Sequence, residues 1–323
     1  MTNREFVDKM ECAGIVPVIK LENVADAENL ARALYKGGIR CAEVTFRAEG
    51  ADKVIASMVR AFPDMLVGAG TVLTCEQVDK AIAAGAKFCV APGLNPAVVK
   101  HCLGKNVPFV PGVANGSQIE QAIELGIDFV KFFPAEQAGG LAYIKAIAAP
   151  YSSVKFMPTG GINENNLNTY LAYKKIVCCG GSWIVPDKLV KERNWAAITE
   201  LCEKAVNKML DFSLAHVGIN CDGEQEAVAH CNGFAEAFGW ETKVGVSSVF
   251  AGNAVECMNT PYKGELGHIA VATDSVKRAV YQLKNRGIAI DEFTAKYDES
   301  GRMTAVYLKE QIGGFAVHLM ERK

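Results

Sequence analysis

One unit recurs eight times in the first two-thirds of this chain. A short apolar run is followed by an amphipathic stretch, and the pair returns about every 20 residues between positions 14 and 208. The apolar runs occupy residues 14–20, 41–47, 66–72, 87–93, 108–113, 128–134, 155–161 and 175–181. Helical patterns lie between them, as at 23–35, 76–84, 117–125 and 141–148. Gly37, Gly85 and Gly126 follow three of these helices, where a helix C-terminus favours glycine. Eight alternating strand-helix units predict a closed (β/α)8 TIM barrel. A doubly wound open sheet is the alternative. The count of eight and the lack of a Gly-x-Gly-x-x-Gly turn argue against it.

Near residues 209–215 the rhythm changes. Two similar blocks follow, opened by the His-bearing strands Leu214-Ala-His-Val-Gly-Ile-Asn220 and Gly267-His-Ile-Ala-Val-Ala-Thr273. Each continues with a helix, 224–238 and 275–286, and then several strand-like runs. This pattern predicts an α+β domain of paired βαβββ modules, with boundaries at 1–210 for the barrel and 211–323 for the second domain.

Charge narrows the function. With 34 basic and 36 acidic side chains, the net charge is -2, so nothing favours a nucleic-acid partner. No apolar run reaches membrane-spanning length, and the N-terminal residues are polar, so neither a membrane partner nor a signal peptide is expected. The 11 cysteines form no Cys-x-x-Cys pair, and several sit in apolar runs. That usage fits reduced core thiols in a cytoplasmic protein.

Lys131 is out of place in its segment, Asp128-Phe-Val-Lys-Phe-Phe-Pro-Ala-Glu136. A lysine in an apolar strand loses hydration, and desolvation lowers an amine pKa and frees a nucleophile. Such an amine can form a Schiff base with a carbonyl substrate. A strand-end lysine reaching to water is the plain alternative. By period two, Phe129, Lys131 and Phe133 share one face of strand six, and Glu43, Thr45 and Arg47 one face of strand two. Side chains pointing inward from even-numbered strands share layers of a barrel core, so Glu43 and Lys131 are expected to meet. A buried ion pair adds little stability over apolar filling, which favours catalysis over structure for this pair.

The last two barrel loops are Pro158-Thr-Gly-Gly-Ile162 and Cys179-Gly-Gly-Ser-Trp183. Glycines let backbone N–H groups approach an anion, helix N-termini favour negative charge, and barrels bind phosphate after strands seven and eight.

Six segments, in order, resemble the family of 2-keto-3-deoxy-6-phosphogluconate (KDPG) and 4-hydroxy-2-oxoglutarate (KHG) aldolases. They are Glu43-Val-Thr-Phe-Arg47, Val67-Gly-Ala-Gly-Thr-Val72, Ala91-Pro-Gly-Leu94, Phe129 to Glu136, Pro158-Thr-Gly-Gly-Ile162 and Gly180-Gly-Ser-Trp183. The resemblance covers residues 5–208. It implies a class I aldolase in a homotrimeric barrel that needs no metal or other cofactor, and a phosphorylated keto-deoxy sugar acid cleaved to pyruvate and glyceraldehyde 3-phosphate. It also implies roles: Lys131 forms the Schiff base and Glu43 is the general acid/base. Arg47 and Thr71 hold the pyruvate carboxylate, and Pro92 and Phe133 line the pocket. Gly160, Gly161 and Ser182 bind the phosphate, with Gly181 and Thr159 close by. KHG, which lacks phosphate, is a rival substrate. From another class, a phosphate-binding isomerase or epimerase would use Glu43 as a base with no covalent intermediate.

The paired modules resemble the vicinal oxygen chelate (glyoxalase-like) superfamily, which places metal ligands on the first and last strands of each module. Those positions read His216, Glu256, His268 and His318, a set suited to a divalent metal such as zinc, iron, nickel or manganese. Position 318 departs from the superfamily, which usually has a carboxylate there. Glu321, an odd step away, faces the other side. The two readings of this domain are a metal-dependent second activity and a ligand-sensing or assembly module. His101 and His230, on helical stretches, read as structural or surface residues.

Overall fold

The computed structural model describes residues 1–322. Two compact units divide the chain, Met1–Met209 and a second from Leu210 onward.

The first unit opens with helix α1 (Asn3–Ala13). Thr2 and Glu5 form a reciprocal capping box, with Glu5 N–H donating to Thr2 Oγ1 and Thr2 N–H to Glu5 Oε2. The parallel strands are β1 (Ile15–Ile19), β2 (Cys41–Thr45), β3 (Leu66–Gly70), β4 (Cys89–Val90), β5 (Phe109–Val110), β6 (Gly112–Val113), β7 (Phe129–Phe132), β8 (Lys155–Pro158) and β9 (Cys179–Gly181). Between them lie α2 (Ala27–Lys36), α3 (Ala51–Ala61), α4 (Cys75–Ala83), α5 (Pro96–Gly104), α6 (Gly116–Glu124), α7 (Gly140–Ala148) and α8 (Leu167–Leu171). Helices α9 (Asp187–Lys191) and α10 (Trp195–Leu210) follow the last strand.

Hydrogen bonding runs β5-β4-β3-β2-β1-β9 in one sheet and β6-β7-β8 in another. Bridges from Phe156 to Ile176 and from Thr159 to Gly180 join β8 to the β9 segment, so the sheet closes on itself. The barrel therefore has eight staves, and the open-sheet alternative is excluded. Its fifth stave is split between β5 and β6 because Pro111 has no N–H for the ladder. The eighth is shorter than its apolar run: only residues 179–181 of 175–181 are strand. Gly37 does follow α2 but has a φ of -75°, and the left-handed residue is Gly38. Gly37 is required for another reason. A Cβ there would lie 2.3 Å from Cys202 Cβ, so α2 and α10 can pack closely only on glycine.

The interior fills from below. Phe6 and Met10 of α1 pack against inward residues of the staves, including Val16, Cys41, Leu66, Phe88, Val110, Phe129 and Met157. Burial of such side chains stabilises by on the order of 1.5–3 kcal/mol each. α1 thus plugs the N-terminal end of the barrel and leaves the opposite end open for chemistry.

The second unit contains β10 (Ser213–Asn220), α11 (Glu224–Phe238), β11 (Thr242–Val244), β12 (Ser248–Ala251) and β13 (Val255–Met258). The same order repeats in β14 (Gly267–Thr273), α12 (Val276–Asn285), β15 (Ile290–Tyr297), β16 (Met303–Leu308) and β17 (Phe315–Glu321). These strands form one eight-stranded mixed sheet, β11-β12-β13-β10-β14-β17-β16-β15. The first strands of the two blocks, β10 and β14, pair antiparallel at its centre. Each pairs parallel with the last strand of its own block, β13 or β17.

Candidate functional sites

In the barrel, Lys131 Nζ lies 3.1 Å from Glu43 Oε1 and 3.5 Å from Oε2. Both residues are buried, Lys131 at 5% exposure and Glu43 at 0%. The pair meets because β2 and β7 both turn these side chains inward, one layer above Cys41 and Phe129 of the core. Lys131 Nζ also sits 5.5 Å from the centre of the Phe133 ring, which is 37% exposed at the rim.

Gly70 leaves room for the Glu43 side chain, and Gly68 and Gly112 allow close packing elsewhere in the barrel. A Cβ on Gly70 would stand 2.3 Å from Glu43 Oε1, and one on Gly68 2.4 Å from the Phe88 ring. A Cβ on Gly112 would stand 2.1 Å from the Pro92 carbonyl oxygen. The roles assigned from sequence do not include these glycines. Their signal was nonetheless in the chain: two glycines at period two in β3 mark a strand face where something else needs the space.

The other rim residues surround the pair. Thr45 Oγ1 donates to the Ile19 carbonyl at 2.9 Å, and Arg47 Nε donates to Thr45 Oγ1 at 3.3 Å. Arg47 lies in the turn past β2 and is exposed, whereas the sequence pattern put it on the strand. Thr71 has φ +54°, an unusual backbone for a β-branched residue, directly after β3. Pro92 is half-buried in the loop after β4.

Thr159 and the glycine loops lie beside one another. Thr159 is 5% exposed, and its Oγ1 has no hydrogen-bond partner. A Cβ on Gly180 would lie 2.4 Å from that oxygen. Gly160 and Gly161 have φ of +99° and +82°, a backbone that favours glycine, and Ser182 is exposed. Gly181 is buried, and a Cβ there would strike the Trp183 ring at 2.1 Å. The expected helix N-termini behind these loops are displaced. Gly161 is separated from α8 by residues 162–166, where Asn163 and Asn166 both donate to the Gly161 carbonyl at 3.1 Å. Asn166 Oδ1 accepts from Asn163 N–H, and these asparagine turns replace the direct entry into a helix.

In the second unit, four side chains converge on one face of the central strands. Glu256, Gly218 and His268 form one cross-strand row, and His216, Ala270 and His318 the next. His216 Nε2 and His268 Nε2 are 3.1 Å apart, and each is 3.1 Å from Glu256 Oε2. Ligand nitrogens of His216, His268 and His318 all lie within 4.8 Å of one another. Gly218 makes this possible, since a Cβ there would meet the His268 ring at 2.0 Å. Ser248 Oγ donates to Glu256 Oε1 at 2.6 Å, and Tyr307 stacks on His318 at 4.8 Å. Burial opposes the Glu256 charge, but hydrogen bonds from His216, His268 and Ser248 hold its carboxyl well below the usual range. Burial, with His268 and His216 nearby, pushes His318 down to about 4, so its ring is neutral at ordinary pH. Glu321 stands outside this group and pairs with Arg302 at 2.9 Å. His101 pairs with Asp79 at 2.9 Å, and His230 is exposed on α11.

Relatives match the barrel. A KDPG aldolase of Treponema pallidum, 2-dehydro-3-deoxy-phosphogluconate aldolase, is 50% identical over 199 residues, 62% of this chain and 95% of its own. The KHG/KDPG aldolase of Escherichia coli K12 is 40% identical over 192 residues, 59% of this chain and 90% of its own. Among solved structures, the KDPG aldolase of Legionella pneumophila, with pyruvate captured as a covalent carbinolamine, matches at a TM-score of 0.60 and 42% identity. It covers 62% of this chain and 97% of that one. The KDPG and KHG aldolase family matches residues 7–201, the barrel with its buried lysine-carboxylate pair, and the chain belongs to this family of Schiff-base lyases that need no cofactor.

Proposed function

We propose that residues 1–210 form a complete KDPG aldolase site in which Lys131 is the imine-forming residue. The observation that carries this reading is the buried contact of Lys131 Nζ with Glu43 Oε1 at 3.1 Å, at the open end of a plugged barrel. The pair is costly to bury for stability alone. Its carboxylate stands where it can take the ammonium proton and free the amine.

The chemistry follows in order. Lys131 Nζ attacks the C2 ketone, and the carbinolamine loses water with a proton from Glu43. The resulting protonated imine is an electron sink. Glu43 then takes the C4 hydroxyl proton, directly or through a water, the C3–C4 bond breaks, and the aldehyde leaves. The pyruvate enamine takes a proton at C3, and hydrolysis of the imine releases pyruvate and restores the lysine. Arg47 and Thr71 hold the carboxylate of the keto acid, and Pro92 and Phe133 pack against its carbon chain. Thr159, Gly160, Gly161, Gly181 and Ser182 hold the phosphate. The partnerless buried hydroxyl of Thr159 and the left-handed Gly160 and Gly161 support that assignment. The phosphorylated substrate is preferred for the same reason. KHG, which the E. coli relative's name includes, is the weaker substrate, cleaved to pyruvate and glyoxylate.

Borohydride added with pyruvate is expected to leave a stable adduct on Lys131, read by peptide mass spectrometry. An unlabelled Lys131 under conditions of active turnover rules the imine out, and with it separates this reading from a non-covalent isomerase. Family resemblance further suggests a cytoplasmic homotrimer, to be tested by light scattering of the whole chain. Among the described residues, no helix is long and apolar enough to cross a membrane.

For residues 211–323 we propose a glyoxalase-like metal domain with His216, Glu256, His268 and His318 as ligands. The fit is geometric. Bonds of ~2.0–2.2 Å set ligand-ligand edges of roughly 2.8–3.1 Å around an octahedral ion and roughly 3.3–3.6 Å around a tetrahedral one. The 3.1 Å triangle of His216 Nε2, His268 Nε2 and Glu256 Oε2 fits the octahedral range. His216, Glu256, His268 and His318 would hold a divalent ion, which would supply Lewis acidity there. The protein's part is to fix the imidazoles, with Ser248 orienting Glu256 and Tyr307 packing His318. One metal equivalent is expected to be lost in both His268→Ala and Glu256→Ala by elemental analysis. Metal content unchanged in both variants points instead to a ligand-sensing or assembly module.

A further inference from the structure

A second convergence of ligand atoms lies elsewhere in the C-terminal unit. Cys221 follows β10, His230 lies on α11 and Cys257 on β13. One sulfur or nitrogen atom from each lies within 4.8 Å of the others. Cys221 and Cys257 are buried at 2% and 0% exposure, while His230 is at the surface. The thiols themselves are unremarkable as core residues beside Cys231, Val249 and Ala251. The histidine is what sets them apart, because one nitrogen of its half-exposed ring reaches a buried thiol: Cys221 Sγ is 3.6 Å from His230 Nδ1. The ring's other nitrogen, Nε2, faces Glu226 Oε1 at 4.0 Å. A metal-bound histidine commonly donates its second nitrogen to a carboxylate, and Glu226 is the carboxylate nearest this ring, one helical turn away and beyond hydrogen-bond length.

We propose that Cys221, His230 and Cys257 form a zinc site, separate from the imidazole cluster, with water in the fourth position on the exposed side. Bonds of ~2.3 Å to sulfur and ~2.0 Å to nitrogen set an S–N edge of roughly 3.5 Å and an S–S edge of roughly 3.8 Å in a tetrahedron. The Cys221–His230 edge, at 3.6 Å, already has this length. The widest separation, at most 4.8 Å, closes by about 1 Å. Charge also balances. Two thiolates and a neutral imidazole cancel the +2 ion, so the buried part of the complex carries no net charge. Binding turns two S–H bonds into two S–Zn bonds and releases two protons to solvent. Without metal, burial raises both thiols above the ordinary cysteine range, so they rest as protonated core residues. The ion would join the segment after β10, α11 and β13 of the first module, and the water position leaves its exposed side open.

Cobalt(II) titration of the full-length, chelator-stripped protein tests this, because thiolate-to-cobalt charge transfer absorbs in the near ultraviolet and His/Glu ligation does not. Wild type is expected to show that band with tetrahedral visible bands, and His268→Ala is expected to keep it. Cys257→Ala is expected to lose it. His230→Ala removes a surface side chain and leaves both buried thiols in place, and is expected to weaken cobalt binding at the band by about 10–100-fold. Circular dichroism confirms that each variant is folded. A wild-type titration without the near-ultraviolet band overturns the proposal, and so does a band that survives His230→Ala at unchanged affinity.

Discussion

Lys131→Met is expected to reduce pyruvate release to background and to abolish the borohydride adduct, because it removes the amine that forms the imine. Glu43→Gln keeps the shape but cannot exchange protons, so kcat is expected to fall about 10²–10⁴-fold. The stability effects run differently. Each single change strands a buried group whose partner was 3.1 Å away, and is expected to cost about 3–5 kcal/mol in the barrel's urea transition. The double variant, Lys131→Met with Glu43→Gln, removes both charges of the pair. It is expected to recover most of that loss while remaining inactive. An inactive double variant more stable than either single is the signature of a pair kept for chemistry. Wild-type turnover in Lys131→Met overturns the imine mechanism.

Gly70→Ala is expected to damage the same site with no change to any reacting group. The added Cβ would stand 2.3 Å from Glu43 Oε1 and 2.6 Å from Glu43 Cγ, so the carboxylate must leave its place beside Lys131. A displacement of about 1 Å at a catalytic group can cost about 10²-fold in rate, and overpacking a tight core costs about 1–3 kcal/mol. The expected result is a fall in kcat of at least about 10²-fold, with Lys131 still labelled by pyruvate and borohydride, though more slowly. A variant with normal kcat would show that Glu43 is mobile enough to work from elsewhere.

The eight-unit rhythm, the face shared by Phe129 and Lys131, and the paired βαβββ blocks were all legible because strand and helix periods are local properties of the chain. The six aldolase-like segments were legible for a similar reason: each is a short run with fixed composition. Less legible were features made by distant backbone. Pro111 splitting the fifth stave required its neighbours' ladder, and the asparagine turns after Gly161 required the loop's own closure.

By itself the sequence determined that this chain has eight strand-helix units, that Lys131 and Glu43 point into their core, and that a duplicated domain follows. Tertiary structure decided three further matters. It set the 3.1 Å contact between residues 88 positions apart, and it made Gly70 the source of the space beside Glu43 in that contact. It also brought His230 onto Cys221 and Cys257, where the sequence had suggested only a surface histidine and two core thiols. The physical reason is common to all three. Periodicity fixes the direction of a side chain, but its distance from a partner depends on how closely two backbones approach, and that is set by packing across the whole unit.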